Sequence, residues 1–274
     1  MLPTITPVIL TRNEAPNIGR TLERLRWARR VVILDSDSTD TTREIACAFA
    51  NVDFRQRAFD FHANQWNVAV HETGIEEDAW ILALDADYQV TDALVQELAE
   101  LRPAQSTVGF VAGFRYCIGG RPLRGTLYPE KVVLFRRASG RYYQDGHTQA
   151  LAIVGQVERL RHPIEHDDRK SLSHWLLAQD RYMRLEAEHI LATPWQTLRW
   201  PDRLRRCIVV APLLVFMNCL FLKGGILDGW PGWYYAGQRC LSEILLSLRL
   251  LERRMGLDTS SPLPHPGRDI QKRP

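Results

Sequence analysis

A chain of 274 residues, 45% hydrophobic and 24% charged, is long enough for one large α/β domain with an appended segment and a sizeable core. A formal net charge of +3 is too small to argue for nucleic acid, and no such partner is expected. The five cysteines, Cys47, Cys117, Cys207, Cys219 and Cys240, form no CxxC pair and are odd in number, which argues against a disulfide scaffold and for a reducing compartment.

The first residues, MLPTITPVIL, do not show a charged segment, an apolar core and a cleavage site in order, so no secretory signal is expected. Runs 5–11 (ITPVILT) and 31–35 (VVILD) are rich in β-branched residues and read as buried strands. Between them Ile18, Leu22 and Leu25 fall on one helical face, and Pro16 suits an early helical position. Strand, helix, strand is the parallel crossover unit. Thr41 and Glu44 have capping-box spacing, which predicts a second helix near residue 41. A third strand is expected at 52–56, a third helix over 62–74 ended by Gly74, and a fourth strand in AWILALD. Thr91 is a good N-cap for the helix that follows. Alternation over 1–102 therefore predicts a doubly wound sheet with its crevice outside the carboxyl ends of the strands. Beyond it come strand-like runs with Gly-rich turns, a helical stretch over 168–195, and a helical, apolar section over 201–256. The tail SSPLPHPGRDIQKRP is Pro-rich and polar, and disorder is expected there.

Acidic residues gather at two strand ends. Asp35, Asp37 and Asp40 follow the second strand; Asp85 and Asp87 follow the fourth. Helix capping accounts for Asp40. It accounts less well for Asp85 and Asp87, because Thr91 already provides a cap. Two carboxylates at i and i+2 repel unless a cation or proton intervenes. Hard oxygen ligands of this kind suit Mg²⁺ or Mn²⁺ shared with a substrate phosphate.

The segments VILTRNEAPNIGRTL, VVILDSDSTDTT, QWNVAV and WILALDADYQV, in this order and spacing, resemble the inverting nucleotide-sugar glycosyltransferases of family two. The bacterial enzymes similar to lipopolysaccharide-core β-1,4-glucosyltransferases are the nearest in style. The resemblance covers about residues 4–180 and is most specific in 5–90. It implies a GT-A fold: a Rossmann-like, mostly parallel sheet with helices on both faces, here followed by a C-terminal helical, partly apolar extension. The implied domains are 1–165 (nucleotide-sugar half 1–102, acceptor half 103–165), the extension 166–256, and a tail 257–274. Thr11, Arg12 and Glu14 would lie near the ribose and base, Asp35 would contact the base with Asp37 beside it, and Gln65 and Asn67 would face the donor. Asp85 and Asp87 would hold the metal, Mn²⁺ or Mg²⁺, and the diphosphate. Two positions depart from the family's pattern: Tyr88 stands where Glu is common, and Asp37 where Gly is usual. The implied reaction is inverting transfer from a nucleoside-diphosphate sugar, of the UDP type, to a hydroxyl of a glycan or lipid-linked acceptor of the bacterial envelope.

Such a displacement needs a base on the acceptor side. Asp145 and His147, in YYQDGHTQAL, are the candidates; Asp145 is preferred, with His147 as a substrate contact. Asp-Gly at 145–146 is also a hairpin signal, and the two readings are compatible. In HPIEHDDRK (162–170) the histidines are spaced i, i+4, but Pro163 argues against a helix through them and hence against zinc. A diphosphate or acceptor role for His166, Arg169 or Lys170 stays open.

Residues 207–222 carry no charge, follow Arg203, Arg205 and Arg206, and precede Trp230, Trp233, Tyr234 and Tyr235. A span needs ~20 apolar residues, so peripheral contact with the cytoplasmic face of the inner membrane is preferred over crossing. A buried hairpin or a homo-oligomer interface is the alternative. Over 237–256 the sequence predicts an amphipathic helix with Leu241, Ile244, Leu245, Leu248 and Leu251 on its apolar side. A haloacid-dehalogenase-like phosphatase or a nucleotidyltransferase would also use paired aspartates. The first wants Thr or Val where Gln89 stands, and the second wants a Gly-rich loop where TRNEAPN has none. A non-enzymatic membrane-bound domain would leave the paired acids unexplained.

Overall fold

The computed structural model describes residues 1–145 and 148–257. Its contacts divide the chain into two compact units, Met1–Pro122 with Tyr128–Arg169, and Leu123–Leu127 with Lys170 onward. The expected boundary at 165 thus falls at Arg169, and one short segment of the first half of the chain belongs to the second unit.

The first unit contains strands β1 (Ile5–Thr11), β2 (Val31–Asp35), β3 (Val52–Gln56), β4 (Trp80–Asp85), β5 (Tyr88–Gln89), β6 (Thr107–Ala112), β7 (Phe114–Ile118), β8 (Arg121–Pro122), β9 (Lys131–Arg136), β10 (Gly140–Asp145), β11 (Thr148–Ile153), β12 (Gln156–Arg159) and β13 (Ile164–His166). Its helices are α1 (Ile18–Glu23), α2 (Thr42–Cys47), α3 (His62–His71) and α4 (Asp92–Glu100). The main sheet has the order β12-β6-β9-β4-β1-β2-β3. β1 to β4 run parallel, and β9 is antiparallel to both of its neighbours, β4 and β6. Successive residues of each central strand enter opposite layers. Ile5, Ile9, Ile33, Leu82 and Leu84 pack with α1 and α4; Val8, Val32, Leu34, Ile81 and Ala83 pack with Trp66, Val70 and Phe135. A sheet covered on both faces demands apolar side chains at every position, which is why these strands read as unbroken hydrophobic runs.

Register sets the site. Thr11 lies opposite Asp35, and Leu10 lies opposite Asp85. The tips of β2 and β4 are therefore on one edge, on either side of β1, about 10 Å apart at two inter-strand spacings. A small sheet of order β5-β13-β7-β8 brings His166 opposite Tyr88, and β10 pairs with β11 so that Asp145 faces Thr148.

Thr91 caps α4 as expected, accepting from the Leu94 amide at 3.2 Å. The capping box at α2 does not form. Thr41 makes no capping hydrogen bond, and Asp40 does that work, accepting from the Thr42 amide at 3.0 Å and from the Ala15 amide at 3.1 Å. Asp40 reaches both because it also ties the loop after β1 to the start of α2.

The second unit holds α5 (Leu172–Ala192), α6 (Trp200–Arg205), α7 (Val210–Met217) and α8 (Trp230–Arg254). α7 continues into a π-turn, Asn218–Leu222, and a 3₁₀ turn, Gly225–Asp228, leads to α8. Gly225 and Gly232 touch so closely that a Cβ on Gly232 would lie 1.9 Å from the Gly225 carbonyl oxygen. Among the described residues no helix is long and apolar enough to cross a membrane.

α8 corrects one expectation. Its buried residues include Ser242, Glu243, Leu246, Ser247 and Leu250, whereas Ile244 and Leu248 of the anticipated apolar side are exposed. The polar groups go inside because each finds a partner. Arg205 forks onto Glu243 at 2.8 Å, and the Ser242 and Ser247 hydroxyls donate back to the carbonyls of Gln238 and Glu243.

Candidate active site

The loops after β1 and β2 close one side of the edge. Asp35 has no exposed surface and its carboxylate accepts from the Thr11 hydroxyl at 2.7 Å, the Ser38 hydroxyl at 2.6 Å and the Ser38 amide at 2.8 Å. With three of about four acceptor positions filled, Asp35 braces the rim from inside. Arg12 and Asp37 are exposed on that rim. Asp37 has φ +55, the left-handed conformation that costs a side chain and favours glycine, which accounts for the glycine usual at this position in the resembling enzymes. The Glu14 amide donates to Thr42 Oγ1, and its carboxylate accepts from Asn17 at 3.0 Å. Gln65 is fully buried. It donates to Ser36 Oγ at 2.8 Å and accepts from Arg57, so it fixes the start of the β2 loop.

The β4 tip forms the other side. Asp85 is half-buried and lines a cavity of about 270 Å³ together with Trp66, Tyr88, Lys131, Tyr142 and Gln149. The backbone between the two aspartates is pinned by the Thr21 hydroxyl, which donates to the Ala86 carbonyl at 2.6 Å, and by the Asp167 amide, which donates to the Asp87 carbonyl at 3.0 Å. Asp87 Oδ2 lies 3.0 Å from His166 Nε2. His166 is enclosed by the rings of Tyr88, Tyr116 and Tyr128. Burial alone would lower its pKa, but Asp87, Asp85 and Asp168 outweigh burial and raise it. Its Nδ1 is buried without a hydrogen-bond partner among the described residues. Lys131 Nζ sits 2.8 Å from the Tyr128 hydroxyl and 3.2 Å from that of Tyr88, and it stands 4.7 Å from the Tyr128 ring centroid. The Tyr88 phenol is held far above its usual range, first by burial and then by the Asp85 charge.

Residues 166–169 are stitched onto the loop after β1. Asp167 is buried between Arg20 and Arg169, each at 2.8 Å, while Asn17 donates to Asp168 at 2.9 Å and accepts from the Arg169 amide at 2.8 Å. His162 goes elsewhere, to Glu97 at 2.8 Å, because it lies in the bend before β13, separated from that strand by Pro163. Among the described residues no group of three or more His, Cys, Asp or Glu forms a ready ligand set.

The family model for Glycosyl transferase family 2 matches residues 6–155, more than half of the chain and all of the edge from β1 to the end of β11. The chain belongs to glycosyl transferase family 2. A lipopolysaccharide core biosynthesis glycosyltransferase, LpsC of Rhizobium meliloti (strain 1021), is 26% identical over 254 residues, covering 86% of this chain and 91% of its own. Among solved structures, S. aureus TarS (residues 1–349) is similar at 13% identity and a TM-score of 0.45, over 92% of this chain and 91% of that one. Glucosyl-3-phosphoglycerate synthase of Mycobacterium tuberculosis is similar at 18% identity and a TM-score of 0.34, over 43% and 45%. The sheet of this family 2 glycosyltransferase, mostly parallel with helices on both faces, is of the GT-A type, and the phosphatase and nucleotidyltransferase readings fall away.

Within this glycosyltransferase, the structure brings Thr11, Glu14, Asp35 and Gln65 into one braced rim and sets Asp85 and Asp87 beside it. Asn67 is placed differently from a donor-facing residue. Its side chain clasps the Tyr142 backbone, donating to the carbonyl at 2.8 Å and accepting from the amide at 2.9 Å, and so ties α3 to β10. Asp145 ends β10, with its side chain outside what is described; His147 lies outside the described residues. Lys131 and Tyr128 were not marked by any motif, and Tyr142, the first residue of YYQDGHTQAL, was not singled out within it. The available signal was scarcity: Lys131 is one of only four lysines among 35 basic residues.

Proposed function

We propose that the chain moves a sugar, with inversion, from a nucleoside-diphosphate sugar of the UDP type to a hydroxyl on a glycan or lipid-linked acceptor in the synthesis of bacterial envelope lipopolysaccharide, at the cytoplasmic face of the inner membrane. The observation that carries this reading is the placement of Asp85. It stands at the β4 tip, faces a cavity of about 270 Å³, and has the Thr11–Asp35 rim two strands away on the same edge. The similarity to a lipopolysaccharide core enzyme supports the envelope acceptor.

Asp85 and Asp87 fit a divalent cation, Mn²⁺ or Mg²⁺, of the kind held by one or two carboxylates and substrate phosphates rather than by an all-protein cage. When bound, such an ion stabilises negative charge on a diphosphate leaving group. The chain's own residues then have separable tasks. Asp35, Thr11 and Gln65 hold the β1 and β2 loops rigid, and exposed Arg12 and Asp37 present the charges that meet the nucleoside. His166 orients Asp87 through Nε2.

Tyr142, Gln149 and Leu151 of the β10–β11 pair form a cavity wall, so this hairpin, which carries Asp145, is where an acceptor would approach. Asp145 takes the proton from the attacking hydroxyl; such assistance contributes ~10²–10⁴-fold. Trp66 and Tyr142, stacked with ring centroids 5.2 Å apart, back that wall with a rigid aromatic pair. Calorimetric titration with UDP-, GDP- and TDP-sugars in Mn²⁺, followed by intact-mass analysis of products formed on envelope lipid extracts, tests the reading. A UDP-sugar that binds and adds one sugar mass supports it. Absence of binding by any of the three nucleotide classes contradicts it.

A further inference from the structure

We propose that the helical unit docks on an anionic phospholipid bilayer through the apolar face formed by α7, the two turns after it and the first turn of α8. Globular proteins turn the apolar stripe of a helix inward. Here Val210, Leu213, Leu214, Met217 and Phe221, spaced i, i+3, i+4, i+7 and i+11, form a stripe whose members are 43–64% exposed. The buried positions of the same stretch are Ala211, Cys219 and Leu220. The exposed apolar surface continues through Leu222, Ile226 and Leu227 to Trp230, which is 85% exposed, and to Trp233 and Tyr234. Its shape is fixed from beneath by the Gly225–Gly232 contact and by the Tyr235 hydroxyl, which accepts from the Leu127 amide at 3.0 Å.

Length and charge identify the occupant. Val210–Leu222 is a helical run of about 20 Å at ~1.5 Å per residue, short of the ~30 Å hydrocarbon core, so the segment lies along an interface. Indole and phenol rings at one end of an apolar face suit the headgroup level, where each ring has an apolar body and a polar edge. The described residues of this unit carry thirteen Arg and Lys against seven Asp and Glu, and Lys223 is exposed at the end of the stripe. Of the arginines before α7, Arg205 is turned inward onto Glu243, Glu186 and Asp202, so it is not part of this excess at the surface. A second copy of the unit would carry the same net positive charge, whereas anionic headgroups complement it.

The test is co-sedimentation of the full chain with sucrose-loaded vesicles of phosphatidylcholine, with and without one quarter phosphatidylglycerol. The expected result is binding to the anionic vesicles and weaker binding to neutral ones. Partitioning of Leu213→Gln/Met217→Gln/Phe221→Gln should fall by about tenfold or more. These side chains are exposed, so circular dichroism of the variant should match the parent. Should the triple variant misfold, wild-type tryptophan emission that is quenched by brominated lipid, and less so in Trp230→Phe, serves in its place. A parent that stays in the supernatant with both vesicle types overturns the inference, as does a folded variant that binds equally well. A concentration-dependent dimer abolished by the same substitutions, without vesicle binding, assigns the face to a second copy instead. Vesicle binding needs neither donor nor acceptor, so it can fail without touching the transfer reading, and the reverse.

Discussion

Asp35 and Asp85 end neighbouring parts of one sheet edge, yet the chain treats them oppositely. The first is sealed in by Thr11 and Ser38, and the second is left facing a cavity. A carboxylate with its acceptor positions filled can shape a loop, while one beside open volume can bind. In the proposed reaction, Asp145 is the residue on which the transfer step turns. Replacement by Asn keeps size and removes the base, so transfer should fall ~10²–10⁴-fold while donor affinity, measured by calorimetry, stays the same. Near-normal transfer by this variant moves the role to another group. Glu97 offers a separate test, far from the chemistry. It accepts from the Arg161 and His162 amides at 2.8 and 3.0 Å and from the His162 ring at 2.8 Å. Burial pushes its pKa up, but these hydrogen bonds outweigh burial and hold it below the ordinary 4.5. A depressed carboxylate stabilises the fold above its unfolded value and loses that contribution as pH falls through the folded one. Glu97→Gln should therefore cost about 2 kcal/mol at pH 7, with the gap to the parent closing at acid pH. A gap that is constant with pH in denaturant titrations would show that the charge is irrelevant.

At the scale of elements, the tight crossing before α8 makes a paired prediction. Gly232→Ala puts a Cβ against the backbone of Gly225, where neither side can yield, and should cost about 2 kcal/mol or more, seen as a melting temperature several degrees lower. Gly237 lies in the same helix, and a Cβ there meets nothing within 4 Å; Gly237→Ala should be neutral or stabilise by ~0.5–1 kcal/mol. Equal effects of the two would contradict the packing described. Elements also show what could be read from the chain. β1 to β4 announced themselves, because strands buried on both faces must be apolar throughout. The start of α2 was legible, as was capping by Asp40; the Thr41–Glu44 box does not form, because the Asp40 carboxylate takes the Thr42 amide. α8 misled, because Ser242, Glu243 and Ser247 can be buried only once Arg205 and nearby carbonyls are supplied by the fold.

For the whole molecule, local order in the sequence converged on a site wherever strand register could carry it. The shared edge of Asp35, Asp85 and Asp87 was legible because parallel strands place their carboxyl ends together, while Thr11 was named through the family resemblance. His166 beside Asp87, and Lys131 between two phenols, were not: a four-stranded sheet assembled from residues far apart in sequence places His166, and Lys131 reaches the phenols from β9 of the main sheet. The central claim is that this edge holds a sugar nucleotide through a divalent ion at Asp85 and Asp87. Titration of UDP-glucose into the parent, Asp85→Ala and Asp87→Ala, each with Mn²⁺ and again with excess chelator, tests it most directly. Binding by the parent that is lost with chelator and in both variants is the predicted result. Affinity that survives chelator and both substitutions would contradict the account.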